Sequence, residues 1–262
     1  MLKVALKGLL ARKLRTALTG FAVVIGVAFV AGTFVFTDTI DASFKDLFER
    51  ASKGTDVSVQ SRLAVEEDFA TPPPMDPSTL ERVQGVDGVA EAAGFVSADA
   101  TLLDPDGEVI TSGGPPTLLL SDGPERFDPF TYVEGGPPEG ADEVVIDKAT
   151  ADEFGWHDGD TVTVAAREPQ KQYTVSGIAR LGDSDNLAGS RMVLMTLEEA
   201  QRVLREDGYH DISVAATSGT SPEELKSRIA AELGNGYTVR TGEEQAEKSA
   251  QDLSDALGFI RI

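Results

Sequence analysis

Thr16–Thr37, TALTGFAVVIGVAFVAGTFVFT, is a run of 22 residues without a charge. At about 1.5 Å per residue a helix of that length spans roughly 33 Å, against a bilayer hydrocarbon core of about 30 Å. The run is long enough to cross a membrane. Lys3, Lys7, Arg12, Lys13 and Arg15 precede it with no acidic residue among them, and Asp38, Asp41, Asp46 and Glu49 follow. Basic residues collect on the cytoplasmic side of membrane spans, so the N-terminus is expected in the cytoplasm and residues after about 37 outside it. A cleaved secretory signal is the competing reading. Its apolar core would cover only about 7–15 residues and end on a small-x-small site, and no such site stands out before Asp38. A soluble core helix seldom runs so far without a polar face.

Upstream, Leu2, Leu6, Leu9, Leu10 and Leu14 recur at spacings of three and four beside the basic residues. That pattern fits a helix lying at the inner membrane surface, and the charges also satisfy topology alone. Within the run, Gly20, Gly26, Ala22, Ala28, Ala31 and Gly32 are small. Small residues let another membrane helix approach, and glycine is also ordinary in spans.

Some 225 residues follow the run, enough for one large domain or two small ones. They hold 18 Lys and Arg against 44 Asp and Glu, a net charge of −26. A polyanion of this kind argues against nucleic acid or anionic lipid as its ligand, and such acidity also fits a salt-adapted or high-GC proteome. With no cysteine in the chain, disulfides, thiolate metal sites and cysteine nucleophiles are excluded. Two histidines leave little for imidazole chemistry.

Local patterns then order the chain. Ile40, Phe44, Leu47 and Phe48 continue the helix outward until Gly54 stops it. Asp56–Gln60 alternates as a strand, Pro72, Pro73 and Pro74 form a loop, and Asp76-Pro77 opens a short helix ending near Gly85. Val86–Leu103 reads as one strand, with Asp104-Pro105-Asp106-Gly107 as a hairpin turn into Glu108–Thr111. From Gly113 to Gly140, glycines and prolines crowd short apolar runs, which predicts a β-rich insert. Glu143–Asp147, Thr161–Ala165, Tyr173–Leu181 and Arg191–Met195 read as strands, with a helix over Lys148–Phe154. Thr196-Leu197-Glu198-Glu199 and Ser221-Pro222-Glu223-Glu224 look like capping boxes that open helices to Leu204 and Leu233. Asp211–Ala215 and Tyr237–Arg240 are the strands around the second. Two strand-helix-strand groups flanking a β insert imply a split α/β sheet. Gly242–Leu257 is a polar helix running into the apolar Gly258–Ile262, read as the threshold of a second membrane helix.

Few residues suggest chemistry. No G-x-x-x-x-G-K-[ST] cradle and no G-x-S-x-G elbow occurs. Ser52 and Ser184 offer hydroxyls, but His157 and His210 read as turn residues, so no catalytic triad is expected. Asp183, Asp185 and Asn186 lack the EF-hand register and read as a solvated loop. Trp156 and Phe154 are expected to pack the insert's core. No catalytic, cofactor-binding or metal residue is assigned.

Five stretches carry a family resemblance: Arg12-Lys-Leu-Arg-Thr-Ala-Leu-Thr19, Asp128-Pro-Phe with Val133-Glu-Gly-Gly, Glu143-Val-Val-Ile-Asp-Lys148, Gly159-Asp-Thr-Val-Thr-Val164 and Met195-Thr-Leu-Glu-Glu-Ala200. In this order the chain resembles ABC transporter permeases of the MacB/LolC/FtsX type, in their actinobacterial branch. The resemblance implies an α+β fold: an N-terminal transmembrane helix, then an extracytoplasmic MacB-like core domain whose split α/β "porter" part is interrupted by a β-rich "sabre" part. It assigns 1–15 to a cytoplasmic basic helix, 16–37 to the span and 38–55 to a stalk. Residues 56–112 and 190–241 become the porter halves, 113–189 the sabre, and 242–262 a stalk towards the next span. It also implies a cytoplasmic ATPase partner, a second permease copy or half, surrounding lipid and an unidentified extracytoplasmic substrate, with no enzyme activity in the chain itself. A single-pass surface receptor is the alternative. An extracytoplasmic hydrolase would need an acidic dyad in a deep pocket.

Overall fold

The computed structural model describes residues 13–63, 72–104, 107–110, 116–187 and 189–257. The expected interfacial helix before Lys13 and the apolar end after Leu257 lie outside these residues, as do Pro105, Asp106 and Thr111. The chain divides into two compact units, Met1–Ser43 and Phe44–Ile262; the second is called the head below.

Helix α1, Lys13–Ala51, carries the apolar run. Its Ala17–Val35 stretch has a mean hydropathy of 2.2, holds no buried residue, and is long and apolar enough to cross a membrane. Hydroxyls that such a helix holds need internal acceptors away from water. Thr19 Oγ1 and Thr33 Oγ1 each donate to the carbonyl four residues earlier, at 2.9 Å.

The head is built on two sheets. In the first, β1 (Val57–Ser61), β2 (Val89–Phe95), β10 (Asp211–Ala216) and β11 (Tyr237–Thr241) lie in the order β11-β1-β10-β2, every neighbour antiparallel. Helix α2 (Ser78–Gln84) joins β1 to β2, and α5 (Pro222–Leu233) joins β10 to β11. This is a ferredoxin-like β-α-β plus β-α-β sheet, as the two strand-helix-strand groups implied. Its core is aliphatic: Val57, Val59, Val83, Ile212, Val214, Leu225 and Ile229 are all fully buried.

The second sheet takes β3 (Ser97–Leu103), β4 (Thr117–Ser121), β5 (Phe130–Gly135), β6 (Glu143–Asp147), β7 (Thr161–Ala165), β8 (Lys171–Leu181) and β9 (Met192–Met195), ordered β5-β8-β6-β9-β4-β3-β7. A further β7–β8 pairing closes six of these strands into a barrel and leaves β5 attached outside it. Strand β8 makes this possible by its length. Its Lys171–Thr174 portion pairs with β7, and its 177–181 portion pairs with β5. The barrel interior holds Leu102, Leu119, Ile146, Tyr173 and Val193, with Trp156 stacked on Phe154 at 5.0 Å. Helix α4 (Leu197–Leu204) adds Ala200, Val203 and Leu204 to that core. Helix α3 (Lys148–Phe154) starts on the buried Asp147, which accepts from Thr150 N at 2.9 Å and Met192 N at 2.8 Å.

Three expectations need correction. Val86–Leu103 is two strands rather than one, because the chain leaves the first sheet at Val96 and enters the barrel. The described part of Glu108–Thr111, up to Ile110, forms no strand; Val109 makes an isolated bridge to Leu103. The insert limits of 113 and 189 fall inside the barrel, since β3 and β9 lie beyond them and pair with its members. Strand pairing follows long-range partners that a scan for turn residues does not register.

Candidate functional site

Two places in the head join its parts. The first is where α1 ends and the chain leaves. Phe44, Leu47 and Phe48 are half-buried there, and the helix closes with Ser52 N donating to Phe48 O at 3.0 Å. Gly54 then turns the chain at φ 75°, where a side chain would meet Arg126 O at 2.2 Å. Only glycine fits both constraints. Helix α6 (Gly242–Leu257) starts directly beside the start of β1: Gly242 N donates to Asp56 O at 2.9 Å, and a Cβ on Gly242 would lie 2.2 Å from Thr55 O.

The two helices are tied to each other and to the barrel. Lys45 Nζ lies 3.0 Å from Glu247 Oε1 of α6. Arg50 bonds Asp46 one turn back at 2.9 Å and reaches Asp183, after β8, at 3.2 Å. Lys53 Nζ donates to Asp128 O at 2.8 Å. The carboxylates beside Lys45 and Arg50 raise both cations above their ordinary values. Exposed pairs of this sort add little stability singly. Their value here is position.

Helix α6 also carries a full capping box that the sequence reading passed over. Glu244 N donates to Thr241 Oγ1 at 3.2 Å, and Thr241 N donates to Glu244 Oε2 at 3.0 Å. The signal was present as Thr241-Gly242-Glu243-Glu244. The two boxes that were singled out are half made: Thr196 and Ser221 accept from the third residue, but Glu199 and Glu224 turn away to Arg202 and Arg228.

The second place is the crossing between sheets, which the chain makes at Val96 and again between α4 and β10. His210 pins the two passages together. Its backbone N–H donates to Phe95 O at 2.8 Å, and its Nδ1 accepts from Ser97 N at 3.1 Å. A ring nitrogen that accepts carries no proton, so the proton sits on Nε2, 3.0 Å from Glu206 Oε2. Arg167 completes the group by pairing with the other Glu206 oxygen. Ser121 Oγ accepts from Val96 N at 3.0 Å on the far side. Burial holds the imidazole below its ordinary value despite the Glu206 charge. His210 is therefore buried at 4% exposure rather than lying in an open turn, as its sequence neighbours suggested. His157 is the exposed one, 3.3 Å from Glu134.

Glu199 is a strongly perturbed carboxylate, buried at the barrel edge. Its oxygens accept from Arg202 Nε and Nη2 at 2.6 Å each, from Tyr173 OH at 2.7 Å and from Lys171 Nζ at 3.0 Å. Burial would push it up, but these donors outweigh burial and hold the carboxyl down at about 2. A carboxylate so fully engaged has no tendency to take a proton at neutral pH. In the loop after β8, Asp183 is taken by Arg50, Asp185 by Arg180 at 2.5 Å, and Asn186 accepts from Gly189 N at 2.8 Å. Among the described residues no group of three or more His, Asp or Glu is placed to hold a metal ion.

Comparison with known proteins agrees with this architecture. The family model for a MacB-like periplasmic core domain matches residues 16–232. The extracellular domain of the ABC-type transporter YknZ from Gram-positive bacteria is similar in fold, with a TM-score of 0.52 and 16% identity, covering 70% of this chain and 98% of that one. The periplasmic region of MacB from Actinobacillus actinomycetemcomitans gives a TM-score of 0.55 at 10% identity, covering 76% of this chain and 94% of that one. No curated relative matches the chain. With an apolar helix of membrane-spanning length leading into this head, the chain belongs to the MacB-like periplasmic core domain family of ABC transporter permeases.

Proposed function

We propose that the chain is the membrane subunit of an ABC transporter in which a separate cytoplasmic ATPase drives movement of the extracytoplasmic head, for export, extraction or mechanotransmission. The supporting observation is α1. One helix, Lys13–Ala51, contains the apolar stretch and ends in the head, where Lys45 binds Glu247 on the helix that leaves. A displacement of α1 along its axis is thus shared with α6 and, through Arg50 and Asp183, with the barrel.

On this reading the basic N-terminus lies in the cytoplasm, the span packs against lipid and against a second permease copy or half, and 38–55 and 242–262 act as stalks. The ferredoxin-like sheet is the porter part and the barrel the sabre. Substrate contact belongs to the head, and the chain performs no chemistry of its own.

The lack of cysteine in these 262 residues makes the test direct, because a thiol introduced here meets no other within them. Asp158→Cys lies in an exposed turn and is expected to react with a membrane-impermeant maleimide in intact cells, whereas Lys3→Cys reacts only after lysis. The ATPase is expected to co-purify with the full-length subunit, and bismaleimide cross-linking of Lys45→Cys to Glu247→Cys is expected to restore the ATP-dependent change in distance between labelled heads that the uncross-linked double variant loses. Labelling of Asp158→Cys only after lysis would overturn the topology. Movement that is undiminished in the uncross-linked double variant, or that the cross-link fails to restore, would overturn the coupling route.

A further inference from the structure

The head contains a cavity of about 540 Å³ bordered by the end of β2, the segment between β4 and β5, and β5 itself. Its apolar wall is made by Phe95, Phe127, Phe130, Tyr132 and Leu194. Phe127 and Leu194 are buried, at 4% and 1% exposure, and belong to two separate small hydrophobic clusters. Pro137 and Pro138 stiffen the rim. A space of this size with aromatic walls suits a small ligand.

The polar side of the cavity is acidic. Asp122, Glu125 and Asp128 line it against a single cation, Lys53, whose ammonium is directed to the Asp128 backbone carbonyl at 2.8 Å. Asp128 is already engaged, accepting from Phe130 N at 2.8 Å and from Tyr132 OH at 3.2 Å. Asp122 is half-buried and accepts only from Leu197 N, through Oδ1 at 3.0 Å; its Oδ2 has no donor among the described residues. Burial pushes the Asp122 carboxyl up, against the Leu197 hydrogen bond, and the Asp128 charge adds to that rise.

We propose that this cavity binds a small apolar cation, an amidinium, guanidinium or amine carried on an aromatic or branched group. The cation sits at Asp122 and the apolar part lies against Phe127, Phe130 and Leu194. Charge-assisted hydrogen bonds supply the missing donor, and the aromatic faces attract the same cation. An anion of equal shape meets the carboxylates, and a neutral analogue leaves Asp122 uncompensated. The site is independent of whether an ATPase moves the head.

Benzamidine, benzamide and benzoate share one shape and differ in charge. They would be titrated calorimetrically into the full chain in zwitterionic lipid nanodiscs, with empty nanodiscs as background. Saturable benzamidine binding is expected, with benzamide about tenfold weaker and benzoate silent. Asp122→Asn keeps an acceptor for Leu197 N and is expected to lower benzamidine affinity about tenfold, to the level of benzamide. Phe130→Ala is expected to weaken benzamidine and benzamide alike. Absent benzamidine saturation in folded protein, equal affinity for benzamide or benzoate, or an unchanged Asp122→Asn would each overturn the site. Should Asp122→Asn fail to fold, exposed Glu125→Gln carries the charge test, with an expected loss of about threefold.

Discussion

The ferredoxin-like sheet and the barrel sit in one head but are held by different means. The sheet is assembled from two chain-local β-α-β pieces over a mainly aliphatic core, in which Val57, Ile212, Leu225 and Ile229 are fully buried. The barrel is closed by strands distant in sequence, with β3 paired to β7 and β4 lying parallel to β9. Its edge adds a buried ionic group around Glu199. Local assembly needs few directional bonds in its core because helix and strand periodicity already set the pairing. Long-range closure has more wrong partners, and the barrel places directional bonds where α4 meets β8. These bonds give it a charge dependence opposite in sign to that of the sheet, where burial beside Ser58 pushes the Asp211 carboxyl up.

The largest effect expected is from core truncation. Leu225→Ala in the sheet and Leu119→Ala in the barrel should each cost about 3–4 kcal/mol, read from urea unfolding of the detergent-solubilised chain. If the two regions fold as one cooperative body, both substitutions lower the same midpoint. A second, earlier transition confined to one variant would show instead that the regions unfold separately.

Next comes Glu199→Gln, expected to cost about 2 kcal/mol through lost charge-assisted bonds to Arg202 and Lys171. It also separates the regions by pH. The Glu199 carboxyl stands at about 2 in the fold against an ordinary 4.5. Between those values the unfolded chain binds the proton and the folded one does not. Stability from this group is complete above about 4.5 and drains away as the pH falls towards 2. Acid unfolding should be shallower in Glu199→Gln and unaltered in slope in Leu225→Ala.

A smaller loss, about 1 kcal/mol, is expected for His210→Gln at the crossing between the two regions. Burial keeps the imidazole below its ordinary 6.5, so as the pH drops the unfolded chain takes up the proton first. Wild-type stability should be full above about 6.5 and decline below it, because a protonated ring cannot accept from Ser97 N–H. The variant should lose that dependence. A pH profile near 6 identical to that of the wild type would remove His210 as the pin.

The smallest effect on folding is expected from Lys45→Ala, whose partner Glu247 is exposed. Its melting temperature should match that of the wild type, while ATP-dependent head movement falls. A change in stability without a change in movement would make the pair a surface contact alone.

Much of the head could be read from residue order. Glu143–Asp147, Lys148–Phe154, Thr161–Ala165 and Gly242–Leu257 occur as elements with the bounds their periodicity and caps indicated. Val86–Leu103 misled because its alternation persists through Val96, where the chain changes sheets; a strand pattern records which side is buried and says nothing of which neighbour buries it. The candidate sites were less legible. Phe95, Asp122, Phe130 and Leu194 come from four separate segments, and no spacing rule brings them to one cavity. His210 looked like a turn residue because Gly208 and Asp207 precede it, yet burial comes from strands on either side.

Residue order alone was enough for the membrane-length helix, the acidic head, the two β-α-β pieces and the absence of thiol chemistry. Each depends on composition or on a period of two or 3.6 residues, and such patterns act over one or two turns of chain. Closure of the barrel, the double crossing pinned by His210, the Lys45–Glu247 tie and the acidic aromatic cavity were settled by folding in three dimensions. Each joins residues that meet through long-range strand pairing and packing, and the free energy of those contacts exists only once the partners have been brought together.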